Sequence, residues 1–575
     1  MRFVSVMVAG VALALGGVSC ALVAGLAGDA TLLKPDAGTG GAGTGGAGGP
    51  TCVVGSPCYT GPAGTENVGL CKGGQTTCTG DGTPDVCAGE VTPQPKTCAT
   101  MDDVHCDSLP CVDWAHGYGP DMAGEEITAV ALDPSDGSMV VTGDFSGTMR
   151  IGTTMLTAAN SGGYPGGAQG TPQNRNIFVA RIAADGTPVW AETFGPDLGL
   201  AIAVDSSGNV YVGGRCAGST TVGTGASALS LKQGQFILKL DKSGAPQWAT
   251  SLGDAIPNLK GDFFYGMSSL AVSPDGSLIA AGQFEEPLTF ADGSVQPPAS
   301  GLSGYVAKMS MTGTGSSALD GTAWTRVFSG VVDTRTNAAS GPRAGVDASG
   351  YVYVGTTFTG TMTFDAGSAP FTSNGGTDIA ILRFDPTGAV KGALSLGNAA
   401  DQTLDALAVS PFGALTLAGQ LQGTLTFTNP AGTLSAQSAM GDGVVFQLGP
   451  YPEFSYLWGT PFGVNGEALD VGLDTAGNVR VLGWFTGTFD LGKGALDASG
   501  NRMLLLAELA SANGSVSWNR GWIYPGTYTD VHLAVAPAGD SFVGATVFAG
   551  AFNVGTGALA NPADISDAWT GRFAP

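Results

Sequence analysis

Positive charge is scarce. Lys and Arg number 23 against 47 Asp and Glu in 575 residues, a formal net charge of −24, with only 12 % of residues charged. Such a chain cannot grip a phosphate backbone, so nucleic acid is excluded as a partner. Histidine is scarcer still. His105, His116 and His532 are the three, and their positions make neither a catalytic triad nor a metal-ligand spacing. No nucleophile elbow, phosphate-binding loop or HExxH helix occurs. The paired acids Glu125 with Glu126 and Glu285 with Glu286 read as solvated strand or loop edges. No catalytic or cofactor-binding residue is therefore predicted. What is abundant is glycine, 94 residues, far above the roughly 7 % of an average chain, which signals turns rather than helices. A hydrophobic share of 43 % supplies a packed core and excludes global disorder.

The N-terminus reads as an export signal. Arg2 precedes an apolar run from Phe3 to Leu15, then Gly16, Gly17, Val18, Ser19 and Cys20. A Cys after small residues resembles a bacterial lipoprotein cleavage site, with residues 1–19 removed and Cys20 lipidated. Simple secretion is one alternative. A retained anchor helix is another, because the apolar stretch continues through Ala21 to Ala24. Each places the body outside the cytoplasm, as an outer-membrane lipoprotein or surface protein or as a secreted one, touching membrane only through this anchor. Residues 20–50 then form an anchor and Gly-rich linker, TGGAGTGGAGGP at its end. The formal GxGxxG at Gly38, Gly40 and Gly43 has no strand before it or helix after it, so it is not a dinucleotide site.

Residues 51–111 hold eight of the ten cysteines, Cys52, Cys58, Cys71, Cys78, Cys87, Cys98, Cys106 and Cys111. An even count in an exported segment with little apolar content predicts a disulfide framework, whose pairing spacing does not reveal. The stretch from Cys58 to Cys78 and CAGEV at Cys87 resemble a cysteine-rich module of exported myxobacterial proteins. That resemblance implies an acidic metal-binding motif near its end, where this chain reads CATMDDVHCD. Asp102, Asp103 and Asp107 offer carboxylate oxygens of the kind calcium takes. Val104, His105 and Ser108 break the pattern, so a disulfide-held acidic loop is the reading adopted. No cofactor is expected, calcium being the one alternative.

The remainder repeats. Strands such as AVALD at Ala129 to Asp133 recur with a small central residue at Ala131, Ala203, Ala271, Gly345, Ala408, Gly472 and Ala534. A turn and a second strand follow, ending at Phe145, Cys216, Phe284, Phe358, Leu421, Phe485 and Phe548. The third strand alternates, as in NIFVARI at Asn176. The fourth opens on Trp190, Trp248, Trp324, Gly392, Trp458 or Trp518, and the seventh copy lacks one. The missing strand stands before the first repeat, as WAHGYG from Trp114. Residues 112–575 are thus predicted to be an all-β, seven-bladed β-propeller of four-stranded blades, the N-terminal strand closing the last blade. The small central residue is expected where innermost strands crowd the axis, and the Phe landmark between blades, with Cys216 a buried small apolar residue there. Asp133, Asp205, Asp347 and Asp474 recur before turns and read as turn caps rather than calcium ligands.

These landmarks are similar to the bacterial β-propeller repeat family known as SBBP, whose units run as an AVD strand, a GN turn, YVTGxF, FVAKLD and a WAKSFG-like strand. Gly392 departs from it, as do Gln447 and Glu508, which replace the basic residue of the third strand. The resemblance implies fold and extracellular setting, and carries no catalytic set. The expected function is a surface binding or scaffold module for a surface protein or polysaccharide, with selectivity in loops such as 162–173 and 313–321. An enzyme with a site in the propeller channel is one alternative, a purely structural envelope protein the other.

Overall fold

The computed structural model describes residues 53–94 apart from 63–64, 69 and 79–83, and residues 112–574 apart from 119–123, 159–174, 217–218, 224–227, 254–265, 290–294, 300–301, 311–321, 332–340, 366, 525–529, 549–551, 554–557 and 560–565. The expected signal, linker and lipidation site at Cys20 lie outside them. So do Cys52, Cys98, Cys106, Cys111, His105, Asp102, Asp103, Asp107 and the loops 162–173 and 313–321. In the cysteine-rich segment, Cys58 is bonded to Cys87 with their Cα atoms 5.7 Å apart, and Cys71 and Cys78 are also disulfide-bonded. Short strands Pro57–Cys58, Gly74–Cys78 and Pro84–Ala88 pair there in chain order.

The larger compact unit takes in Ser56–Gln75 and Cys87–Pro575. Its body is all-β, with no helix among the described residues. Alternating β-branched and aromatic runs separated by glycine turns form four-stranded antiparallel sheets, each but the last laid down in chain order. The first comprises Glu125–Leu132, Met139–Ser146, Arg175–Ile182 and the front of the long strand Pro188–Val204; the back of that strand opens the second, followed by Val210–Cys216, Gly234–Leu240 and Pro246–Gly253. Next come sheets opened by the inner strands Met267–Val272, Arg343–Val346, Gln402–Val409 and Glu467–Leu473. The last sheet runs Asp530–Val535, Ser541–Phe548, Ser566–Phe573, and its outer strand is Trp114–Gly117, with Trp114 opposite Arg572. This is a propeller-like architecture. Between second and third strands the sheets carry an added hairpin that the repeat reading did not anticipate, such as Thr424–Thr428 with Ala431–Ser435.

The core lies between neighbouring sheets. Phe145 of the first sheet packs with Phe542 and Ala568 of the last, and Phe284 of the third with Tyr211 and Ile237 of the second. Cys216 is buried in the layer between the first and second. The small inner residues do avoid collision. A Cβ on Gly345 would come within 2.4 Å of Val409, and one on Gly472 within 2.4 Å of Val535, each on the next inner strand.

The outer-strand Trp has a role that its repetition alone did not reveal. Trp190 Nε1 donates to Lys242 O at 3.0 Å, Trp324 Nε1 to Pro386 O at 3.1 Å, and Trp458 Nε1 to Ser511 O at 3.0 Å. Each acceptor lies in the turn between third and outer strands of the following sheet. That turn carries a left-handed glycine, such as Gly244 at φ +88°, over which the indole lies. Where the fourth sheet has Gly392 instead, Tyr451 from the corresponding turn of the fifth occupies the space, its ring 2.7 Å from where a Gly392 Cβ would be.

Candidate functional site

The aspartates before the turns hold their own backbone. Asp205 Oδ1 accepts from Ser207 N and Asn209 N at 2.9 and 3.0 Å, Asp347 Oδ1 from Ser349 N and Tyr351 N at 2.9 and 3.0 Å, Asp474 Oδ1 from Asn478 N at 2.8 Å, and Asp133 Oδ1 from Ser135 N at 2.7 Å. Among the described residues no group of three or more His, Cys, Asp or Glu is arranged to hold a metal ion. Glu285 and Glu286 are exposed. Glu125 and Glu126 correct the sequence reading. Glu125 is fully buried, and Glu126 meets Arg175 at 2.6 Å, an ion pair that also takes in Asp144. Pairing on the sheet brings Arg175 to this corner, so Glu126 and Asp144 face a cation rather than water.

The polar groups that converge lie on the inner strands. Five of these strands slip register by one residue at the same level, around Thr128, Leu200, Ser268, Asp405 and Leu469. A bulge there turns an additional side chain out of the strand's ordinary alternation. The result is a cavity of about 280 Å³ ringed by the inner strands, at the small end of ligand pockets, which run from roughly 300 Å³ upward. Two residues before each small inner landmark stand Ala129, Ala201, Ser269, Arg343, Ala406, Asp470 and His532, and all seven line it. Asp405 and Ser268 join them from bulge positions. The ring is two-sided. The first two sheets contribute Thr128 but otherwise Ala129, Val130, Leu200, Ala201 and Ile202, whereas the third to seventh bring the polar and charged groups.

Several of these groups stitch one inner strand to the next. Ser268 Oγ donates to Pro342 O at 2.7 Å, and the Arg343 guanidinium donates through Nε to Asp405 O at 2.9 Å and through Nη1 to Ser268 O at 2.8 Å. Asp470 Oδ2 accepts from Leu533 N at 2.8 Å. Ser269 Oγ donates to Ala344 O at 3.2 Å. Burial pushes the Asp470 carboxyl above the ordinary carboxylate range, opposed by His532, the Leu533 amide and Arg343. His532 is 9 % exposed, with its Nε2 buried, making no hydrogen bond and lying 3.6 Å from Asp530 Oδ1.

Of the histidines, His532 reaches this cavity, while His116 stacks on Trp114 in the outer strand of the last sheet. The spacing of the histidines forms no motif, and no sequence motif marks Arg343, Asp405 or Asp470. A signal was present. At the position two before the landmark, small residues give way to Arg, Asp and His in the fourth, sixth and seventh copies, and packing has no use for charge at a crowded axis.

No protein-family model matches the sequence, and a search of curated proteins finds no match. Among solved structures the chain is similar to virginiamycin B lyase from Staphylococcus aureus, with a TM-score of 0.34 and 10 % identity over 80 % of this chain and 99 % of that one. It is similar to the Dos1 propeller, TM-score 0.34, 10 % identity, covering 79 % and 94 %. Quinohemoprotein alcohol dehydrogenase from Comamonas testosteroni gives a TM-score of 0.32 and 11 % identity over 78 % and 76 %. Likeness at this level carries no argument about what this chain does.

Proposed function

We propose that this chain is an exported surface binding module, a seven-bladed propeller closed by its N-terminal strand, tethered through a lipidated Cys20, and binding a small ligand in the cavity at its axis. The observation that carries the ligand site is the convergence of Arg343, Asp405, Asp470 and His532, from four different sheets, on one side of a cavity with an aliphatic opposite wall. Few, directed polar groups over apolar walls are the usual makeup of a small-molecule site. The strand order and the pairing of Trp114–Gly117 with Ser566–Phe573 support the closed seven-blade reading.

The test is a thermal-shift screen of the purified chain against small amines, acids, polyols and sugars, alongside Ala129→Leu, which fills the cavity from its small-residue side. Stabilisation by at least one class that disappears in Ala129→Leu is expected. No such ligand, or equal stabilisation of the variant, overturns the cavity reading. The tether is tested by palmitate labelling of wild type and Cys20→Ser, with label expected in wild type alone. A second reading, an enzyme, is favoured by the half-buried Asp470 carboxyl whose proton affinity is raised beside His532. It predicts turnover of a ligand found in the screen, abolished by Asp470→Asn.

A further inference from the structure

The turn between the first two strands of each sheet ends on a left-handed glycine, and the residue before that glycine is Asp136, Ser207, Asp275, Ser349, Ala476 or Ala538 in six of the sheets. Small or polar residues suit a solvated turn. In the fifth sheet the residue is Phe412. Its side chain is 86 % exposed, with Pro411 exposed beside it, so packing does not account for it. The neighbouring Gly413 lies against Tyr353 of the fourth sheet, where a Cβ would come within 2.5 Å of the phenol oxygen. Ala348 N fixes the turn by donating to Pro411 O at 3.1 Å. The Tyr353 phenol oxygen also accepts from Arg383 Nε at 3.0 Å, and Arg383 Cζ lies 3.5 Å from the Tyr351 ring centroid and 4.7 Å from that of Tyr451. At the matching third-strand position Arg181 and Lys308 are committed to ion pairs with Asp133 and Asp275. Arg383 makes no such pair among the described residues, and its Nη1 and Nη2 donate to no protein acceptor there, on a side chain that is only partly buried. Tyr451 reaches it from a longer turn of the fifth sheet, closed from Gly449 N to Ser455 O where the fourth sheet closes from Asp385 N to Ala389 O, and is 40 % exposed beside exposed Pro452 and Glu453.

We propose that this patch, formed by Phe412, Tyr451 and Arg383, is a second binding site, separate from the axial cavity, for a neutral glycan of equatorially substituted pyranoses such as β-linked glucose. It rests on the reading of the chain as a binding module. Such a sugar has a face of C–H groups polarised positive by their oxygens and a rim of hydroxyls. An aromatic face, negative at its centre, receives the first, and free guanidinium donors with the Glu453 carboxylate serve the second. The exposed apolar surface is confined to Pro411, Phe412, Tyr451 and Pro452 among charged and polar neighbours, far short of the roughly 20 to 30 residues a side of a stable protein interface. The net charge of −24 repels a polyanion at long range and leaves a neutral polymer unaffected.

The test is calorimetric titration of the full chain with cellohexaose near neutral pH, beside polygalacturonate. Binding of cellohexaose is expected, weakened about tenfold in Phe412→Ala by the loss of ring contact. Exposure of this side chain means that the variant melts with the wild type. Arg383→Lys, which keeps the charge and removes the planar fork, is expected to weaken binding severalfold. Ala129→Leu, which fills the axial cavity, is expected to bind cellohexaose as the wild type does. No binding of cellohexaose, or equal binding by Phe412→Ala, overturns the inference. Binding lost in Ala129→Leu and kept in Phe412→Ala also overturns it, and places the sugar in the cavity, whose reading then stands. Polygalacturonate bound as tightly as cellohexaose overturns the neutral-ligand assignment. Sedimentation showing a dimer that Phe412→Ala dissociates gives the patch to a second copy of the chain instead.

Discussion

Arg480 and Glu508 stand opposite each other on neighbouring strands of the sixth sheet, guanidinium Nη1 to carboxylate Oε2 at 2.5 Å, with Arg480 1 % exposed. The same register position in the fifth sheet holds Thr416 and Gln447, hydrogen-bonded at 3.2 Å. In both sheets the third-strand residue also accepts from the outer-strand indole, Trp518 to Glu508 at 3.1 Å and Trp458 to Gln447 at 3.2 Å. The acidic residue that breaks the repeat pattern is therefore matched by a basic one across the ladder. Removing one partner strands a buried charge, so Glu508→Gln alone is expected to cost about 3 kcal/mol. The double change Arg480→Thr with Glu508→Gln, copying the fifth sheet, is expected to recover most of that loss. Urea midpoints of the two singles and the double close the cycle, and additive losses would show the pair to be uncoupled.

Gly244 and Gly276 share a left-handed conformation, at φ +88° and +80°, but differ in surroundings. A Cβ on Gly244 would meet the Trp190 ring at 2.9 Å, and one on Gly276 meets nothing within 4 Å. Gly276→Ala carries only the backbone cost of a positive φ, roughly 1 kcal/mol. Gly244→Ala adds overpacking and is expected to lose about 1 to 3 kcal/mol more. Equal melting temperatures for the two variants would mean the indole moves aside at no cost.

Trp114 is 8 % exposed, donates from Nε1 to Ala184 O at 3.0 Å and meets Phe542 edge to face. Trp114→Ala is expected to destabilise the chain by about 3 to 5 kcal/mol. Limited proteolysis should then cut near Ser566–Phe573, which pairs with this strand. Unaltered stability and protease resistance would show that this strand adds little to the sheet.

The Asp567 carboxyl is raised by burial from its ordinary value of 3.8 to about 6, and its Oδ2 accepts no hydrogen bond. The folded state holds this proton more firmly than the unfolded one. Its contribution is fully present below about pH 4 and is lost as pH rises to about 6. Asp567→Asn should melt close to wild type at pH 4 and above it at pH 7. A constant difference between the two across that range would assign the pH dependence elsewhere.

Strand order, the repeat and its turn chemistry were legible in the sequence because they are local. An alternating run with a glycine turn after it specifies a hairpin whatever lies beyond, and Asp205 or Asp347 caps its turn through its own backbone. The small residues at Gly345 and Gly472 were legible for a related reason, since crowding at an axis recurs in every copy and so marks every copy. The cavity was not. Its polar residues come one from each of several copies, Arg343, Asp405, Asp470 and His532, so no spacing joins them, and one-residue bulges invisible in an alternation pattern interrupt the strands that carry Asp405 and Asp470. Nor did sequence order reveal that the Glu508 departure is answered by Arg480, or the loss of an indole at Gly392 by Tyr451 of the next sheet. Those relations arise between strands and between sheets, where distance along the chain ceases to measure distance in space, and only the tertiary packing decided them.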